Sequence, residues 1–147
     1  MIPKELLEGV HIVNSMDKSP EDVAAEIKRL SPTGSGMDFT LDCVGNDAVI
    51  MAAHAALDKL GMLLNVGSGS ASNPQYTIAK HLVMGATARG THQGDSVPRI
   101  MIPRLIQLWK EGMFPFDKLL TTFEFEKLHD ALDEVHAGRV IKPLLVV

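Results

Sequence analysis

Short apolar runs alternate along this chain with longer segments whose apolar positions recur every three or four residues. His11-Ile12-Val13-Asn14 has the character of a brief strand. Ser19-Pro20-Glu21-Asp22 then supplies an N-cap, a proline at the first helical position and acids in the first turn. Val23, Ala24, Ile27 and Leu30 follow at helical spacing, so a helix is predicted over about 20–30. Ser31-Pro32-Thr33-Gly34-Ser35-Gly36 breaks it, and residues 37–44 form a strand that ends at Gly45. Asn46 or Asp47 can cap the next helix, whose face of Val49, Ala52, Ala53, Ala56, Leu57 and Leu60 stops at Gly61. Met62-Leu63-Leu64-Asn65-Val66 is nearly continuous in apolar character, as expected of a strand buried on both faces. Strand, helix, strand, helix, strand at this spacing predicts a parallel sheet of right-handed βαβ units.

Residues 76–84 and 86–90 read as two further extended segments on either side of Gly85. A helix is predicted over 97–111, where Pro103 either kinks it or marks its start. A turn at Phe114-Pro115-Phe116-Asp117, an extended 120–125, a helix over 126–137 stopped by Gly138 and a strand over 140–147 complete the order.

Composition narrows the function classes. With 147 residues, 46% of them hydrophobic, the chain is long enough for one domain with a true core. Fourteen basic against 18 acidic residues give a formal charge of −4 with no basic block, which disfavours nucleic acid and an anionic membrane surface as partners. The single cysteine, Cys43, excludes an internal disulfide and any multi-cysteine zinc site and suits a reducing compartment. The first residues do not read as a signal peptide, and no apolar run approaches the roughly 18 residues of a membrane span, so a cytoplasmic location is expected.

In series, several phrases resemble the C-terminal half of the zinc-type medium-chain alcohol dehydrogenases, above all their aryl- and benzyl-alcohol branch. They are Gly9-Val10-His11-Ile12-Val13-Asn14, Met37-Asp38-Phe39-Thr40-Leu41-Asp42-Cys43-Val44-Gly45 and Gly61-Met62-Leu63-Leu64-Asn65-Val66-Gly67, followed by Asp95-Ser96-Val97-Pro98 and Ile102-Pro103-Arg104-Leu105-Ile106. Gly112-Met113-Phe114-Pro115-Phe116-Asp117-Lys118-Leu119-Leu120 and Gly138-Arg139-Val140-Ile141-Lys142-Pro143 continue the match over nearly the whole chain. The resemblance implies an α/β fold: a partial doubly wound, Rossmann-like parallel sheet lacking its first two strands, with the family's C-terminal tail over about 113–147. It also implies NAD(P) contacts at Val44 and Gly45, at Val66 and Gly67, at Gly90 and Thr91, and at Lys142 near the pyrophosphate, along the carboxyl ends of parallel strands.

The departures matter as much as the matches. No Gly-rich turn leads from a first strand into a first helix to hold a pyrophosphate. Gly67-Ser68-Gly69-Ser70-Ala71-Ser72 lacks the third glycine and runs into Asn73-Pro74, as a strand exit would. One cysteine supplies neither of the family's zinc sites, so no metal site is expected and no cofactor is expected to bind. Without the first two strands, residues 11–14 are expected to slide beside the strand at 37–44. Pairing of 76–84 with its two-fold mate predicts a homodimer.

For chemistry without a cofactor, the candidates are Cys43, Asp42, Ser68 and His92 at the carboxyl edge, with Ser70, Thr91 and Asp95 nearby. The plainer readings are a small buried Cys43 and a solvated His92, with His54, His129 and His136 as surface or helix-end residues. Three functions stay open: a cofactor-domain protein inert in hydride transfer alone, a cofactor-independent isomerase, lyase or cyclase acting on a small molecule in an uncovered groove, and a non-catalytic homodimeric scaffold or partner of a full-length relative.

Overall fold

A computed structural model describes residues 6–69, 73–75 and 77–147. Ser70 and Tyr76, each part of a sequence expectation, lie outside the described residues. Two compact units divide the chain, one of His11–Ser96 and one of Met1–Val10 with Val97–Val147.

The first unit begins with α1 (Pro20–Leu30), where the Ser19 hydroxyl accepts the Asp22 N–H at 3.1 Å and Val23 and Ala24 are buried. β1 (Met37–Asp42), α2 (Asp47–Ala55) and β2 (Leu57–Asn65) follow, then α3 (Ile78–Met84) and β3 (Thr87–Gly90). The strands form one parallel sheet in the order β1-β2-β3, with Asp42 opposite Asn65 and Asn65 opposite Gly90, so all three strands end level. Ile50, Leu57 and Leu63 form the buried core, flanked by Ala53, Met84 and Ala86. The later of the two predicted βαβ units, β1-α2-β2, is present with its strands parallel.

Three expectations fail here. Residues 11–14 form no strand and do not join the sheet, so β1 is an outer strand. The segment is too short to compete, and the Asn14 side chain turns the chain by accepting the Met16 N–H at 3.0 Å. The second helix ends at Ala55, five residues early, because Leu57 is needed fully buried opposite Met37 in the sheet. Asp58, Lys59 and Leu60 then bulge out of the ladder, Leu60 with φ +62° and 81% exposed. Residues 78–84 are helical rather than extended. Gly85 ends this helix in the left-handed region, and its N–H and that of Ala86 return to the carbonyls of Leu82 and His81. The strand-to-strand dimer contact expected at 76–84 therefore has no strand at 78–84 to make it.

The second unit carries α4 (Pro98–Lys110), β4 (Leu120–Glu124), α5 (Leu128–His136) and β5 (Lys142–Val146). β4 and β5 pair in parallel, Leu120 opposite Lys142. Pro98 stands at the start of α4, and Pro103 lies inside a helix that continues through it. Trp109 donates its indole N–H to Asp117 at 2.9 Å and stacks, tilted, on Phe116, which also meets Phe114.

Candidate functional site

The carboxyl edge of the three-stranded sheet is built around Asp42. Its side chain has no solvent exposure, and its carboxylate accepts the Val44 N–H at 3.0 Å and the Gly45 N–H at 3.0 and 3.1 Å. Its main-chain carbonyl accepts the N–H groups of Val66 and Gly67, both at 2.9 Å. One residue thereby engages four backbone amides from the two turns that follow β1 and β2.

Those turns interlock. A Cβ on Gly67 would lie 2.3 Å from the Gly45 nitrogen and 2.4 Å from that of Val44, and a Cβ on Gly45, where φ is +76°, would lie 2.3 Å from the Gly69 nitrogen. Both positions require glycine because backbone meets backbone there. At the third strand end, Thr91 donates its N–H to the Asn65 carbonyl at 3.1 Å. The Asn65 Oδ1 and the Thr40 Oγ1 are enclosed and have no hydrogen-bond partner among the described residues. Beneath β1, a groove of about 700 Å³ opens between α1, α2 and the sheet, lined by Val23, Ile27, Thr40, Val49 and Ala52.

The four candidate catalytic residues separate into two kinds. Asp42 is turned inward and spends its carboxylate on backbone amides, which makes it a positioning residue. Cys43, Ser68 and His92 are exposed on the three successive turns, Cys43 included, against its reading as a small buried residue. No hydrogen bond links the Cys43 thiol, the Ser68 hydroxyl and the His92 imidazole. The His92 main-chain N–H donates to Asp95 at 3.3 Å, and Asp95 in turn pairs with Arg89 at 3.0 Å. Val44, Gly45, Val66, Gly67, Gly90 and Thr91 gather at the edge as expected, while Lys142 begins β5 in the other unit.

Of the two sequence readings of His54, surface or helix-end residue, the structure corrects the first and agrees with the second: it is 1% exposed, in the last turn of α2, with Nε2 3.0 Å from the Nδ1 of His81. The two rings stack with centroids 5.3 Å apart. Burial, then the neighbouring His81 and Lys80, holds the His54 imidazole below its ordinary range. Its position beside Ala52, Ala53 and Ala56 on an apolar helix face was the only sequence signal for this burial.

Zinc does not fit the described residues, among which no three His, Cys, Asp or Glu side chains converge on a point. A dinucleotide fits poorly at the edge, because the amides of Val44, Gly45, Val66 and Gly67 are already bonded within the protein.

No protein-family model matches the chain. Among curated proteins, it is 35% identical over 126 residues to a geraniol dehydrogenase of Castellaniella defragrans, covering 85% of this chain and 33% of that enzyme. It is 31% identical over 138 residues to the class-2 isozyme 2 alcohol dehydrogenase of Oryctolagus cuniculus, covering 89% of this chain and 34% of the relative. The crystal structure of benzyl alcohol dehydrogenase from Acinetobacter calcoaceticus superposes with a TM-score of 0.81 at 28% identity over 99% of this chain. Its homologues are zinc-type alcohol dehydrogenases. An alcohol dehydrogenase zinc-binding domain protein from Burkholderia ambifaria matches equally well in fold, with a TM-score of 0.81 at 31% identity. The chain spans about a third of the length of these curated alcohol dehydrogenases and about 40% of the solved chains. The Rossmann-like α/β assignment and the resemblance to the benzyl-alcohol branch are both upheld by these matches.

Proposed function

We propose that these 147 residues form a cofactor-domain portion of an alcohol-dehydrogenase-like oxidoreductase and transfer no hydride by themselves. The observation that carries this reading is the commitment of four edge amides to Asp42. Amides so engaged fix the shape of the edge without offering donors to a pyrophosphate or a carboxamide. Among the described residues no three His, Cys, Asp or Glu side chains converge on a point, which supports the same reading. In an alcohol dehydrogenase, bound NAD(P) supplies the hydride acceptor and zinc polarises the alcohol oxygen. What the residues of this chain contribute is placement: Asp42 sets the two interlocked turns, and Thr91 ties the third strand end to β2.

Calorimetric titration of the chain with NAD and with NADP tests the proposal. Dissociation constants weaker than about 1 mM are expected for both. Binding at about 10 μM by either would overturn it. A cofactor-independent enzyme at Cys43, Ser68 and His92 is the weaker reading, since nothing in their geometry couples a base to a nucleophile.

A further inference from the structure

Two helices of the second unit carry uncompensated charge of opposite sign. α4 has no buried residue, and its charged side chains, Arg99, Arg104 and Lys110, are all basic, exposed and without an ion-pair partner among the described residues. Ile102, Ile106 and Trp109, spaced i, i+4 and i+7, form an exposed apolar line along the helix. Arg99 lies three residues before Ile102 and Lys110 four after Ile106, so both cations border that line.

The converse pattern stands on α5 and on the 3-10 turn Phe125–Lys127 before it. There Lys127 pairs with Glu124 and Arg139 with Glu134, while Glu126, Asp130 and Asp133 are exposed and have no ion-pair partner among the described residues. Leu128 and Leu132, an i, i+4 pair, are exposed on the same helix, whose Ala131 is buried.

We propose that α4 of one molecule docks on α5 of a second copy of this chain, two such contacts closing a two-fold dimer. Three cations then meet three carboxylates, and Ile102, Ile106 and Trp109 cover Leu128 and Leu132. Every molecule carries both halves of the contact, as an isologous pair requires. Within one molecule the two sets form no ion pair with each other, so a second copy is what compensates them. An anionic bilayer suits the basic helix but not the carboxylates of the same unit.

Sedimentation equilibrium of the 147-residue chain at about 10 μM tests the contact. A dimer is expected in about 50 mM salt, with a dissociation constant about tenfold weaker in about 500 mM. Arg99→Glu with Lys110→Glu, and separately Asp130→Lys with Asp133→Lys, are each expected to be monomeric, because each sets like charge against like. Mixed in equal amounts, the two variants are expected to recover the dimer, since each then meets its complement at both contacts. A wild-type monomer, a dimer indifferent to salt, a charge-reversed variant that still pairs, or a mixture that stays monomeric would each overturn the proposal. Wild-type monomers that instead bind vesicles containing phosphatidylserine would overturn it too. If either variant fails to fold by circular dichroism, the wild-type salt series decides alone.

Discussion

Asp42 shows how little of a side chain's role is visible in its identity. Aspartate at a strand end reads as a candidate acid or base, and its true task, accepting the amides of Val44 and Gly45 with its carboxylate while its main-chain carbonyl accepts those of Val66 and Gly67, depends on register that only the fold supplies. Asp42→Ala strands buried donors and is expected to cost about 2–4 kcal/mol in denaturant unfolding, with Asp42→Asn costing less than half as much because one carbonyl oxygen survives. Gly67→Ala drives a methyl into the Gly45 backbone and is expected to cost about 1–3 kcal/mol, measured the same way. His54 is the converse case: burial withdraws a residue that the sequence read as a surface or helix-end side chain, and stability follows from the direction of its shift. Because its folded value lies below the ordinary 6.5, the penalty is absent above that pH and grows as pH falls through the folded value.

Among the elements, those with local signals were legible and those set by partners were not. α1 carries its own cap, proline and acidic first turn, and its predicted bounds are the observed ones. The early end of α2 answers to β1, since Leu57 must pair with Met37, and no local pattern separates Leu57 from the alanine-rich face before it. Residues 78–84 have apolar positions at Ile78 and Leu82, a helical i, i+4 interval, and the extended reading gave way to a helix that Gly85 closes. α5 offers a test at this scale. Arg139 grips Glu134 with two hydrogen bonds of 2.8 Å just past the helix end and holds its carboxyl below the ordinary 4.5. The pair's contribution is present above that value and disappears as pH falls through the lowered folded value. Thermal melts of Glu134→Gln are expected to lie slightly below wild type at neutral pH and to converge with it under acid.

For the whole molecule, the resemblance in sequence and the superposition at a TM-score of 0.81 agree on fold, while the share of the relatives spanned, about a third, is what keeps their activity from transferring directly. Large apolar side chains stay open to solvent in both units, among them Phe39, Leu60 and Leu82 in one and Ile100, Ile102 and Met113 in the other. Surfaces of that kind are usually covered by a partner. Sedimentation at micromolar concentration is expected to show species heavier than the monomer, and a clean monomer would remove self-association as the explanation.

The sheet has a further consequence during folding. With the order β1-β2-β3, each outer strand keeps one side unpaired among the described residues, and Phe39 and Leu41 stand exposed on β1. Parallel strands meet only after a long stretch of chain has closed, so these margins stay bare for longer than a hairpin's would. Two half-folded molecules can join there before either is complete. Recovery of native protein after dilution from denaturant is therefore expected to decline as chain concentration rises, and a charged residue at Phe39 is expected to restore it.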